Sequence, residues 1–303
     1  MAAPAGQPEL WLLGVLSFCL RGGVLVLCLP IIVLPTQVEV RLALGANLGS
    51  SGLTPGFWGL VGVGTAVTSL IALFVLYGLA RIEAGSFDRL VGSAELVDDL
   101  AQETSPGALV AARHGRRGLI GSLFVIQALT LIAVLVAAVP LAASVGQATL
   151  DEILRPSSNG TIYARVLGQV GVALTVFVAA LPVIDMTSAM ATRRLLLGLS
   201  LAAAIGGVVA EVLRAPVRAV GSALVAWLGL VALLLAVGWA LSVAWQAARA
   251  SFLATTSVAD LFGDVAPFIV ALMLAGVFVA GLALAGFVSA FRAALWTLAE
   301  LRR

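Results

Sequence analysis

Two residues combine an ionisable side chain with an apolar setting: Arg21, inside the first hydrophobic run, and Asp185, in the stretch PVIDMTSAMATRR. A guanidinium or carboxylate inside a lipid-embedded helix is costly, so such groups pair with one another or line a path for a proton or ion. Two readings are therefore open for Asp185: a buried carboxylate serving such a path, paired with Arg21, or an interfacial carboxylate pairing with nearby arginines. Glu211 precedes Arg214 by three residues, which puts both on one helix face and predicts an interfacial ion pair.

Other arrangements of reactive residue types lead nowhere chemical. VDDLAQE, residues 97–103, is similar in letters to the aspartate-rich motifs that bind magnesium diphosphate in prenyl-transferring membrane enzymes. It has no second acidic motif beside it, and its carboxylates alternate with an apolar helical face, as on a solvated amphipathic helix. GSSG at 49–52 has the lettering of a rhomboid-protease nucleophile, but the one histidine, His114, lies in the basic cluster RHGRR and offers it no base. One histidine also excludes a bis-histidine haem or a histidine metal site. Cys19 and Cys28, nine apart in one apolar run, read as inert buried thiols. No catalytic residue, cofactor or metal is expected.

The elements that must position Arg21 and Asp185 are membrane helices. Of 303 residues 61% are hydrophobic and 11% charged, and the mean hydropathy is +1.13, well above a soluble domain. Apolar runs of about 20 residues match a hydrocarbon layer of about 30 Å. The net charge of +2 gives no general attraction to nucleic acid. The basic residues are all arginine, a composition expected of a GC-rich, bacterial genome. The N-terminus lacks the positive region of a cleaved signal peptide and is expected to be retained.

The pattern predicts an all-α polytopic membrane protein with six transmembrane helices over about 17–35, 57–80, 119–143, 163–184, 217–246 and 267–290, forming one membrane domain. Glu9 to Leu16 is expected to lie in the interface, so that Arg21 sits one turn deep and can snorkel. Residues 82–116 are expected to form a cytoplasmic helical hairpin, starting with an amphipathic helix and ending at Arg113, Arg116 and Arg117, a cluster suited to anionic lipid headgroups. Small residues at intervals of four predict helix-packing faces: Gly62, Ala66 and Leu70 in the second span, and Gly281, Ala285, Ser289 and Ala293 in the sixth.

The run between Arg194 and Arg214 decides the threading. If it crossed the bilayer, arginines at its two ends would lie on opposite faces. If residues 195–213 form an interfacial or re-entrant helix, four arginines (Arg41, Arg155, Arg165, Arg249) lie outside and twelve inside, Arg21 left aside. The positive-inside rule favours that arrangement, with both termini cytoplasmic.

The layout resembles, in span count, the permease subunits of ABC-type exporters, without any of their sequence motifs. The expectation is a multi-pass protein of the cytoplasmic (inner) membrane. It is read as a permease-like transport component working with a cytoplasmic partner. The alternative is a non-catalytic structural or assembly subunit that packs on other membrane proteins.

Overall fold

The computed structural model describes residues 8–31, 48–49, 52–92, 119–154, 162–254 and 265–301. Among them are eight helices: α1 (Pro8–Leu20), α2 (Gly23–Cys28), α3 (Pro55–Gly92), α4 (Leu119–Leu154), α5 (Ile162–Leu196), α6 (Leu201–Arg214), α7 (Pro216–Ala254) and α8 (Ala266–Leu301). Five of them, α3, α4, α5, α7 and α8, are long and apolar enough to cross a membrane. Proline opens α1, α3 and α7, where its missing N–H costs nothing and its fixed φ suits the first turn. Before α3, a two-residue antiparallel ladder pairs Leu48 with Leu53 and Gly49 with Gly52.

The first apolar run is not one span over 17–35. It is a helix and a short second helix, broken at Arg21–Gly22. Gly22 sits at φ 82°, in the left-handed region that glycine alone enters freely. The next residue is also glycine, and a Cβ there would lie 2.4 Å from the Phe18 ring. The Glu9 to Leu16 segment is accordingly the first part of α1 and continuous with the residues up to the break.

Nor does the predicted hairpin begin where the second span ends. Its first residues, 82–92, prolong α3 without interruption; residues 93–118, with Arg113, Arg116 and Arg117, lie outside the described residues. Likewise α5 continues past 184 to Leu196, so Asp185 is interior to a helix.

After Leu196 the chain turns sharply. Gly198, at φ 99°, donates its N–H to Leu195 O, and Leu199 N–H bonds Arg194 O, the paired closure of a Schellman motif. Ser200 then caps α6 by accepting from Ala203 N–H at 3.3 Å. With 14 residues, α6 is about 21 Å long, too short to cross a hydrocarbon core. Ala204 and Val208, one turn apart, are buried, whereas Leu213 is exposed. The helix is an amphipathic strip packed on α5 and α7.

The long helices associate as two pairs, α4 with α5 and α7 with α8, and α1 lies along α8. Between α4 and α5 the Thr130 and Ser188 hydroxyls are hydrogen-bonded at 2.7 Å. One core cluster joins α3 through α8 around Phe87, Ile126, Met186, Met190, Ala223 and Trp296. A second joins Phe18 and Leu27 to Leu230, Leu241 and Ala285. Burial is uneven along the helices. In α3 the buried residues begin at Leu76, while Trp58, Leu60, Val63, Leu70 and Phe74 are exposed. In α5 most follow Asp185. α3 and α5 are thus enclosed mainly towards one end, the gathered end of the bundle, whereas α7 keeps buried residues along its length from Ala223 to Ala248. Leu10 shares a cluster with Leu90 and Ala294, so α1 starts at the end where α3 and α8 finish.

Candidate functional site

At the gathered end, the break between α1 and α2 delivers Arg21 to two carboxylates from different helices. Arg21 Nη1 donates to Asp185 Oδ1 at 2.7 Å, and Nη2 donates to Glu83 Oε1 at 2.9 Å. Each carboxylate has a second cation. Arg193 Nη2 donates to Glu83 Oε2 at 2.9 Å, and Arg292 Nη2 to Asp185 Oδ2. Trp227 Nε1–H also donates to Asp185 Oδ2, at 3.1 Å, and the Arg292 guanidinium stands 5.4 Å from the Trp227 ring centroid. Three arginines, two carboxylates and an indole thereby tie the α1–α2 break to α3, α5, α7 and α8.

The sequence places these groups at a similar height: Glu83, Asp185 and Arg292 follow three, one and two residues after the apolar runs expected over 57–80, 163–184 and 267–290. The charges therefore meet where the apolar length of three separate helices runs out. They are largely withdrawn from solvent: Asp185 and Glu83 side chains are 15% and 12% exposed, Arg193 2%, and Arg21, at the break, 36%.

A second ion cluster lies near the ends of α5 and α8. Arg194 Nε donates to Glu300 Oε2 at 3.0 Å, and Arg194 Nη2 to Glu211 Oε2. The partner found here for Glu211 is thus an arginine on the preceding helix; Arg214 closes α6 from its last turn and is exposed. At the start of α1, Glu9 pairs with Arg89 of α3 at 2.6 Å, both exposed.

The small residues of α8 face inward. A Cβ on Gly281 would lie 2.5 Å from Val237 Cγ1, and Ala285 is fully buried, while Ser289 and Ala293 are half-buried. The neighbouring row meets α1 backbone to backbone: a Cβ on Gly14 would be 2.1 Å from the Gly286 carbonyl oxygen. The second-span row is different. Gly62 and Gly64 have nothing within 4 Å of a Cβ, and Leu70 is 68% exposed, so this face is uncovered by the described residues.

A cavity of about 300 Å³ opens where α3, α4 and α5 converge, lined by Arg81, Ala84, Phe87, Asp88, Ile120 and Leu196 among others. Arg81 lies at its edge and is held by the Tyr77 hydroxyl at 2.8 and 3.0 Å. Among the described residues no group of three or more His, Cys, Asp and Glu side chains is placed to hold a metal. Cys19 and Cys28 are both free thiols.

Sequence reasoning singled out Arg21 and Asp185 but passed over Glu83, Arg193, Trp227 and Arg292. Glu83 was read as part of a solvated helix, and Arg292 and Arg193 as topology signals. The available signal was the height of each along its helix, which requires knowing that the helices run past the ends of the apolar windows. No protein-family model, curated protein or solved structure matches the chain.

Proposed function

We propose that the protein is a permease-like transport component of the bacterial cytoplasmic membrane, with the Arg21–Asp185 cluster closing its inner end. The observation that carries this reading is the position of Arg21: a helix break held by carboxylates from two other helices, at the end where those helices are most enclosed. Release of Arg21 from Asp185 and Glu83 would free α1–α2 to move against α5. An ion pair whose partners sit on separately mobile elements is a two-state contact of the kind that gates a path.

The threading that fits this reading has six crossings. In support of this reading, α1 starts beside Leu90 and α3 starts at the opposite end, and a further crossing between them would use the broken helix for part of its length. Arg81, Arg89, Arg193, Arg194 and Arg292 all belong to the gathered end, which the positive-inside rule makes cytoplasmic. α6 then lies on the cytoplasmic side as a surface for a soluble partner. Purification in mild detergent tests the reading: co-isolation of a stoichiometric ATPase supports it, and recovery as a lone monomer counts against it. At the residue level, a deletion strain rescued fully by Asp185→Asn would remove the gate.

A second reading, an assembly subunit of a membrane complex, is favoured by one observation: among the described residues nothing comes within 4 Å of a Cβ at Gly62 or Gly64 on α3, although these glycines would permit close helix approach. Co-isolation of another integral membrane protein, lost when Gly62 is enlarged, would support that reading instead.

A further inference from the structure

The cavity where α3, α4 and α5 converge takes no part in the ion clusters: neither Arg21, Glu83, Asp185 and Arg193 nor Arg194 is among the residues that line it. Its walls are Ala84 and Phe87 of α3, Leu119 and Ile120 of α4 and Leu196 of α5. Phe87 and Leu196 are buried and the other three half-buried. At about 300 Å³ the space matches the lower end of small-molecule sites, which are mostly apolar with a few polar groups that fix orientation. Gly85 also lines it, and nothing lies within 4 Å of a Cβ built there, so part of the space is left by a missing side chain.

The cavity carries two charges at different levels of α3. Arg81 and Asp88 both line it, seven residues apart and hence about 10 Å along the helix. Arg81 is exposed. The Tyr77 hydroxyl accepts from its Nε and Nη2 at 3.0 and 2.8 Å and does not engage Nη1. The guanidinium also stands 5.4 Å from the Tyr77 ring centroid. Tyr77 thus orders a long side chain before any ligand arrives and leaves it a donor group, which lowers the cost of binding an anion. A cation held at the edge of an apolar cavity suits an anion attached to an apolar body. Asp88, at the other level, repels a second negative charge on that body.

The order of these residues along α3 decides the side of approach. The apolar run expected over 57–80 ends at Arg81, and the cavity walls at 84–88 lie beyond it. A membrane lipid with its phosphate on Arg81 would send its chains back past Tyr77, along the span and away from the cavity. A molecule with its anion on Arg81 and its body beside Ala84, Phe87 and Ile120 reaches them from the aqueous side.

We propose that this cavity binds a small soluble organic monoanion: a carboxylate or equivalent oxyanion held by Arg81, on an apolar body, with roughly ten non-hydrogen atoms in all. The site stands on the cavity and Arg81, independently of the transport reading.

The test is equilibrium binding of radiolabelled octanoate, a carboxylate of that size, to the purified full chain in phosphatidylcholine nanodiscs, with empty nanodiscs subtracted. Saturable binding is expected, with acetate, which lacks the body, and octanol, which lacks the charge, each competing about tenfold less well or worse. Arg81→Gln should weaken octanoate about tenfold by removing a charge-assisted hydrogen bond and leave octanol unchanged. Gly85→Leu, which fills the space, should abolish binding of both. Absence of saturable binding, octanol competing as well as octanoate, or either variant binding like wild type would overturn the proposal. Phosphatidylglycerol added to the nanodiscs at high salt, where surface charge is screened, is expected to leave octanoate binding unchanged; displacement would assign Arg81 to a lipid headgroup instead. Should Gly85→Leu not fold, the exposed Arg81→Gln variant and the octanol comparison decide by the same criteria.

Discussion

Arg21 and Asp185 are 164 residues apart in sequence and 2.7 Å apart in space. The pair joins the break in the first hydrophobic run to the interior of α5, and Asp185 is held at the same time by Arg292 and Trp227. Removing the Asp185 charge leaves two guanidinium groups without their shared counterion. Breaking one side of a largely buried pair costs about 3–5 kcal/mol. Asp185→Asn is therefore expected to lower the apparent unfolding temperature in detergent clearly, and Asp185→Asn with Arg292→Met to recover part of that loss. A single variant as stable as wild type would show that the cluster contributes nothing.

Trp227 contributes one hydrogen bond to Asp185 and a ring face to Arg292. Replacing it by phenylalanine keeps a ring and deletes the N–H. The expected cost is about 1–2 kcal/mol, from a charge-assisted hydrogen bond lost and a weaker cation–π contact. Denaturation of the variant alongside wild type checks it, and an unchanged midpoint would contradict the assigned role.

Gly22 holds the α1–α2 break in a left-handed conformation. Gly22→Ala meets no steric neighbour, since nothing lies within 4 Å of a Cβ there. The cost is backbone strain alone, about 1–2 kcal/mol. The strain can be relieved by extending α1 through the break, which would draw Arg21 away from Asp185. Cysteine cross-linking between positions 21 and 185 should then fall relative to the same cysteine pair with Gly22 intact.

Gly14 and Gly286 allow α1 to lie against α8 with their backbones in contact. Gly14→Leu cannot be accommodated without separating the two helices. The expected outcome is undocking of α1, seen as increased protease cleavage near the N-terminus while the α7–α8 pair stays protected. Glu9→Ala, which removes only an exposed pair worth less than about 1 kcal/mol, should leave the cleavage pattern close to wild type.

Gly62→Ile separates the two sources of packing on α3. Among the described residues nothing lies within 4 Å of a Cβ at Gly62, so monomer stability in detergent should be unchanged. Loss of a co-purifying membrane protein in this variant would assign that face to a partner, whereas unchanged complexes would leave it to lipid.

Much of the fold was legible because its signals are local. Apolar length identified the five long helices, though with ends drawn too early: a hydropathy window stops at the first cluster of charges, whereas a helix continues wherever those charges find partners. That is why α3 runs through Arg81 and Glu83 to Gly92, and α5 through Asp185 and two arginines to Leu196. The first run was misjudged for a related reason. Its apolar count suits a span, but Arg21 followed by two glycines allows a break, and the carboxylates that stabilise the break are 62 and 164 residues away.

Composition and periodicity alone determined that the chain is a helical, multi-pass membrane protein, and the expense of a charge in lipid marked Arg21 and Asp185 as needing a reason. Which charges meet was decided only by the tertiary structure. Ion pairing depends on the relative height and rotation of helices that are separate in sequence, and those are fixed by packing such as Gly14 on Gly286 and Gly281 on Val237. Packing brought Glu83, Arg193 and Arg292 to the level of Arg21 and Asp185, and left Arg193 Nε and Nη1 without a hydrogen-bond partner among the described residues.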